Sequence, residues 1–186
     1  MADRDSRRAA RWATLVAVPV ALAAGALAFV SLNARDGAEP AAEPSSPRPQ
    51  PTVPVSMAAP PLGDRAAVVC RALLSRMPDR IRDLPRRAVT AGPGQNAAYG
   101  DPPITLACGG APPAVAPTAF LLRMDAVCWH SATTRDETVW TTVDHEVPVT
   151  VHVPAGYEQP AQWANEFSAA VVAAVPSIDA VPSGCR

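Results

Sequence analysis

Strict alternation of apolar and polar residues marks one stretch of this chain as a β-strand. Residues 147–153 read VPVTVHV, with a valine at every second position. Because the side chains of a strand point alternately to its two faces, one face of this strand should be buried. Pro148 cannot donate a ladder hydrogen bond, which indicates an edge strand or the edge half of a strand. Shorter apolar or alternating stretches predict three more strands, at 104–108, 120–130 and 138–143.

Apolar residues at helical spacing predict two helices that flank these strands. The first follows Asp64 and ends near Pro78, and the second runs from about 160 to 174, before Pro176. The predicted fold class is therefore α+β: a two-layer domain over 63–186, in which both helices cover one face of a small, mostly antiparallel four-stranded sheet. Its core should be modest, so that disulfides would contribute to its stability.

An apolar run without any charge, residues 12–32, precedes this domain. Its length suits a helix that crosses about 30 Å of hydrocarbon. The arginine-rich tail at 1–11 predicts a cytoplasmic N-terminus, which places the C-terminal domain outside the cytoplasm. We expect a transmembrane signal anchor at the cell membrane. A cleaved signal peptide, which would give a secreted domain, is the alternative.

Residues 33–62 predict a disordered linker. They contain eight prolines and few large apolar residues, so they can bury too little surface to offset the entropy lost on ordering. The formal net charge of the whole chain is -1, which gives no electrostatic reason to expect nucleic acid as a partner. One local cluster, seven arginines between 65 and 87, could meet anionic wall or lipid components.

Four cysteines follow the apolar run and indicate disulfides in an exported domain. Spacing alone leaves all three pairings open. No CxxC or HxxxH spacing supports a metal site instead. We expect no cofactor.

The possible catalytic residues are few. A hydrolase could combine His145 with Asp144 or Asp101, and take Ser131 or Thr141 as its nucleophile. The chain has no Gly-x-Ser-x-Gly motif. Neighbouring residues of an extended chain point to opposite faces, so Asp144 and His145 should not pair and should form a polar turn. Asp101 should accept backbone hydrogen bonds in its own turn. The positions retained for possible binding are Tyr99, Asp101, Arg76, Arg80, Arg86 and Arg87.

Several short motifs follow one another along the chain: CRALL from Cys70, YGDPPI from Tyr99, Cys108 with Gly109, VCW from Val127, and WTT from Trp140. In this order and spacing, over about 64–175, the chain resembles an actinobacterial exported family catalogued as domain of unknown function 3515. The family pattern has glycine before the valine of VCW, where this chain has Ala126. The resemblance implies an envelope location and supplies no catalytic residue. It also implies that Cys70 pairs with Cys108, which leaves Cys128 to pair with Cys185.

These features favour a non-catalytic binding or interaction module of the cell envelope. Its partners would be the membrane, through residues 12–32, and an envelope protein or an anionic wall or lipid component. A small envelope hydrolase that uses His145 or Asp101 is the alternative. A small-ligand carrier is a second alternative, and it would need an apolar cavity between the sheet and the helices.

Overall fold

The computed structural model describes residues 51–116 and 118–185. The predicted tail 1–11, the predicted membrane segment 12–32 and the first part of the predicted linker lie outside these ranges. Within them, every helix falls short of the length and apolar character that a membrane crossing requires.

The described chain contains three α-helices and eight β-strands. The helices are α1 (Asp64–Leu74), α2 (Pro160–Asn165) and α3 (Ser168–Ala174), and Ser183–Cys185 forms a short 3-10 helix. The strands are β1 (Arg80–Ile81), β2 (Leu84–Arg87), β3 (Asn96–Tyr99), β4 (Ile104–Cys108), β5 (Leu121–Met124), β6 (Val127–Thr133), β7 (Glu137–Thr142) and β8 (Val149–Pro154). The predicted second helix is thus divided in two.

The strands form one sheet in the order β1-β2-β3-β4-β8-β7-β6-β5, and all neighbours are antiparallel. Two meanders, β1 to β4 and β5 to β8, join where β4 pairs with β8. β8 therefore lies inside the sheet, and the prediction of an edge strand is wrong. Pro148 precedes the strand, where its missing N–H costs no ladder bond, and its carbonyl accepts a hydrogen bond from the Gly109 N–H at 2.8 Å.

The prediction of a small four-stranded sheet is also wrong, since the sheet has eight strands. β3 reads NAAY and is buried at all four positions, so it shows no alternation that a sequence could reveal. The predicted strand 120–130 is two strands, joined by a two-residue turn at Asp125 and Ala126 with φ values of 43° and 68°. The turn shifts the alternation by one position, because Met124 pairs with Val127 and Leu122 with Trp129, so even positions of β5 share a face with odd positions of β6. Apolar residues occupy both parities between 120 and 130, and this shift is therefore not visible in the sequence.

Ala126 adopts a backbone conformation that suits glycine better. For a residue with a Cβ, the left-handed region costs about 1–2 kcal/mol. We expect Ala126→Gly to raise the free energy of unfolding by about 0.5–1 kcal/mol, since the relieved strain exceeds the added entropy of the unfolded chain. Urea titration measures the change. Ala132→Gly, at an exposed position of β6, is the control and should lower stability; a loss in both variants would contradict the expectation.

The core lies between the helices and one face of the sheet. The valines at 149, 151 and 153 are fully buried there, together with Trp129 of β6 and Phe167 between α2 and α3. The disulfide between Cys70 and Cys108 joins α1 to β4. A second disulfide, between Cys128 and Cys185, joins β6 to the C-terminal segment. The expected disulfides and both pairings implied by the resemblance are confirmed.

The last part of the predicted linker, residues 51–62, lies against the sheet. We call residues 53–60 the N-terminal strap. Val55 forms a parallel bridge with Val89, the Asn96 side-chain amide donates to the Ala58 carbonyl at 2.8 Å, and Arg87 donates to the Val53 carbonyl at 2.8 Å. Low apolar content predicted disorder here, but hydrogen bonds from the sheet hold this stretch instead.

Candidate functional site

The candidate functional site is a cavity of about 640 Å³ beside the segment that follows α3. We call it the C-terminal pocket. Three parts of the chain form it: the turn between β5 and β6, the loop between β7 and β8, and the segment from the end of α3 to Cys185. Its lining residues are Arg123, Ala126, Asp144, His145, Val172, Val175, Pro176, Ser177, Ile178, Val181 and Cys185.

Backbone hydrogen bonds bring the loop and the last segment together. The Ile178 N–H donates to the Asp144 carbonyl at 2.9 Å, and the Glu146 N–H donates to the Pro176 carbonyl at 2.8 Å. These two bonds flank an antiparallel bridge in which His145 lies opposite Ser177. The disulfide of Cys185 fastens the end of the same segment to β6. The pocket therefore depends on tertiary contacts at both ends of its wall.

Asp144 and His145 form a buried hydrogen-bonded pair, so the expectation that they would not pair is wrong. The Asp144 Oδ1 lies 2.6 Å from the His145 Nδ1, and the two residues are only 6% and 7% exposed. The Asp144 Oδ2 accepts the Cys128 N–H at 2.8 Å. The loop turns to make these contacts, so the rule for an extended chain does not apply.

This pairing orients the imidazole. A carboxylate only accepts hydrogen bonds, so the His145 Nδ1 carries the hydrogen, and in the neutral ring Nε2 is an acceptor. The same pattern, a carboxylate holding one ring nitrogen while the other acts, is common where histidine serves as a base.

The pocket is lined by two exposed aliphatic side chains, here called the apolar rim, and by one guanidinium. Val172 is 50% and Ile178 38% exposed, a high exposure for large aliphatic side chains, and both line the pocket. Arg123 donates from Nη1 to the Cys185 carbonyl at 2.8 Å, and its remaining N–H groups can donate to a ligand. Apolar contact, a guanidinium and an imidazole are thus available in one place.

Two of the predicted binding positions have structural roles elsewhere. Tyr99 is fully buried, its hydroxyl donates to the Pro78 carbonyl at 2.8 Å, and burial raises the pKa of the Tyr99 hydroxyl. Asp101 is exposed and lies 3.6 Å from the Arg87 Nη1. Neither residue lines the C-terminal pocket, so the structure does not bring Asp101 and His145 together there.

Most of the predicted arginine cluster is engaged within the molecule. Arg80 donates to the Asp83 carbonyl at 2.9 Å, and Arg87 donates to the carbonyls of Gly100 and Val53. Arg82 pairs with Glu166 and stacks on Trp163. Arg76 is exposed and Arg86 is half-buried. Arg82 is thus neutralised by an ion pair, while the carbonyl bonds of Arg80 and Arg87 leave the charge of both in place, and contact of the cluster with an anionic component stays a prediction.

A second cavity, of about 430 Å³, lies between the N-terminal strap and the sheet face opposite the helices. His152 and Glu137 lie on its floor, with 3.1 Å between Nδ1 and Oε2. Over 51–116 and 118–185, three or more His, Cys, Asp or Glu side chains nowhere come together in a way that could hold a metal ion.

Sequence reasoning missed Arg123, Val172, Ser177 and Ile178 as site residues. Arg123 was placed within a strand and Val172 within a helix, and the residues after Pro176 show no periodicity. Among the pocket residues after Pro176, only Cys185 could have been linked to the domain from the sequence, because a cysteine in an exported domain predicts a disulfide.

The fold and the pocket define a disulfide-linked α+β domain with a single antiparallel sheet and a ligand-sized cavity. A family model described as "Protein of unknown function (DUF3515)" matches residues 16–180. The chain belongs to this family, and the resemblance seen in its motifs is confirmed. No curated protein and no solved structure matches the chain significantly.

Proposed function

We propose that this chain is a binding protein of the cell envelope, and that its C-terminal pocket holds an amphipathic ligand. The observation that carries the proposal is the pocket itself, which is lined by exposed Val172 and Ile178 and by the buried pair of Asp144 and His145. Ligand sites are typically concave and supplied with a few fixed polar groups, at volumes of about 300–1,000 Å³. A cavity of about 640 Å³ falls within that range.

The chemistry of the wall favours an anionic or acceptor group on the ligand. The Arg123 guanidinium can donate to a carboxylate, phosphate or sulfonate, while the aliphatic rim takes an apolar body. An anionic lipid or wall component of the envelope has this combination.

The location rests on sequence features together with the disulfides. Residues 12–32 are apolar and follow an arginine-rich tail, which supports targeting to the cell membrane with the domain outside the cytoplasm. Both cysteine pairs are positioned as disulfides, and disulfides persist in oxidising compartments. If the domain lies outside the cytoplasm, its four cysteines should be oxidised in protein taken from cells.

Binding is tested with the dye anilinonaphthalene sulfonate, which has an apolar body and one anionic group. We expect its fluorescence to rise with the native protein at neutral pH. Val172→Asp should weaken the affinity by at least about tenfold, because the variant places a charge on the apolar rim and repels the sulfonate.

Val68→Asp is the matched control. Val68 is 56% exposed, close to the 50% of Val172, but it lies on α1 and outside the pocket. Near-ultraviolet circular dichroism should confirm native packing in each protein, because loosely packed states also bind this dye. An equal loss in both variants, or no binding by the native protein, would contradict the proposal.

Hydrolysis is a second candidate function, and one observation favours it. The Nδ1 of His145 lies 2.6 Å from the buried Asp144 carboxylate. His145 lines the pocket, and its Nε2 is the ring nitrogen that this carboxylate does not hold. A ring oriented in this way can act as a general base.

A further inference from the structure

We propose that Ser177, His145 and Asp144 form an acyl-transfer site in the C-terminal pocket, with Ser177 as the nucleophile and a carboxylic ester as the substrate. The proposal rests on the second candidate function and specifies its chemistry. It assigns the nucleophile to a residue that lies outside every regular element of the chain.

The backbone places Ser177 and His145 side by side. The hydrogen bonds from Ile178 to Asp144 and from Glu146 to Pro176 flank the bridge instead of joining its two members. His145 and Ser177 are therefore a non-hydrogen-bonded antiparallel pair, whose side chains share one face with Cβ atoms about 4.5–5.5 Å apart. That separation is suited to a hydroxyl and an imidazole that exchange a proton.

Burial distinguishes the roles of the three residues. Asp144 and His145 are almost fully buried, so the orienting carboxylate and the base are held away from water. Ser177 is exposed and lines the pocket, so a substrate can reach its hydroxyl. The carboxylate holds Nδ1 and leaves Nε2 to accept the hydroxyl proton.

Among the described contacts, no hydrogen bond joins the Ser177 hydroxyl to His145. Rotation about χ1 of an exposed serine is rapid, and catalytic hydrogen bonds often form only when the substrate is bound. The fixed parts of the site are the backbone bridge and the pair of Asp144 with His145, and both are present.

The reaction is balanced with an ester and water. The Ser177 Oγ attacks the carbonyl carbon, and its proton passes to the His145 Nε2. The tetrahedral oxyanion receives hydrogen bonds from Arg123, the one cation on the pocket wall among the described residues. The carbon–oxygen bond to the alcohol then breaks, and Nε2 returns the proton to the departing alkoxide. Water attacks the acyl-serine with its proton taken by Nε2, the carboxylic acid leaves, and Ser177 regains its proton.

The rim predicts which part of the ester the pocket selects. Val172 and Ile178 offer aliphatic contact beside the nucleophile, so an ester with an apolar acyl chain should react faster than an acetyl ester. Each methylene that becomes buried should raise kcat/KM by about fourfold.

A fluorophosphonate probe with an alkyl chain tests the assignment on the full chain. We expect the oxidised native protein to be labelled, with the adduct located at Ser177 by peptide mass mapping. Ser177→Ala should abolish labelling. His145→Gln should slow it by at least about 100-fold, as expected for loss of a general base.

Ser131→Ala is the matched control, because Ser131 lies on β6 and outside the pocket, and its labelling should equal that of the native protein. No labelling of the native protein, or an equal rate in His145→Gln, would overturn the proposal. Dye binding distinguishes this failure from failure of the binding function: a protein that binds the dye but resists the probe has the pocket without the chemistry.

Discussion

Replacing Cys70 and Cys108 together by alanine is expected to lower the free energy of unfolding by about 4 kcal/mol, from the chain entropy that a closed loop removes from the unfolded state. The loop spans 38 residues and joins α1 to β4. Both cysteines are almost fully buried, so the disulfide joins a helix to the interior of the sheet. Its loss should therefore lower the stability of the whole domain. Denaturant unfolding of the purified domain measures the change.

The pair Cys128 and Cys185 provides the comparison. Its loop spans 57 residues, but it fastens only the C-terminal segment, and that segment forms the pocket wall. We expect the Cys128→Ala/Cys185→Ala variant to lose dye binding, while the Cys70→Ala/Cys108→Ala variant keeps it under conditions in which it stays folded. The opposite pattern would contradict the assignment of the binding site.

The same cysteines report the location of the domain. In protein taken from cells, alkylation under non-reducing conditions should find all four cysteines oxidised and paired as in the structure. Free thiols in that material would contradict an exported domain.

Trp129→Ala is expected to destabilise the domain by about 3–5 kcal/mol, the range for removing a fully buried large aromatic side chain. Trp129 is fully buried, and its indole N–H donates to the Ser168 Oγ at 3.2 Å. Ser168 is itself fully buried, so the variant leaves a cavity and also an unpaired hydroxyl between β6 and α3. Urea unfolding followed by circular dichroism is the measurement.

Two smaller substitutions separate packing from hydrogen bonding. Trp129→Phe and Trp140→Phe remove the same volume, but the Trp140 indole N–H has no partner within the described residues, while that of Trp129 has one. Trp129→Phe should therefore cost about 1–2 kcal/mol more than Trp140→Phe. Equal costs would mean that the bond between Trp129 and Ser168 adds nothing to stability.

Local patterns predicted the elements that carry a clear period. The alternating valines of β8 and the apolar spacing of α1 each correspond to an element of the fold. The motif order predicted the family, and through it both disulfides. Strands without a period were missed, as β3 shows, because its four positions are all buried, so polar and apolar residues do not alternate between two faces.

The candidate site was predicted poorly for a different reason. His145 was considered as a base with Asp144 or Asp101 as its partner, but pairing with Asp144 was then rejected, and the nucleophile was sought at Ser131 or Thr141. The structure pairs it with Asp144 and places Ser177 opposite. Both contacts depend on where the segment after α3 returns to the loop before β8, and no local period encodes that position.

The family, the presence of disulfides and the elements with a regular period of side chains could all be predicted from the sequence. Each of them depends on residues close together in the chain or on the order of motifs. Three features required the folded structure: β8 lies inside the sheet, residues 53–60 lie against it, and Asp144, His145 and Ser177 line one pocket. These features arise from hydrogen bonds between residues far apart in the chain, such as that from the Cys128 N–H to the Asp144 carboxylate, and they exist only once the whole domain has folded.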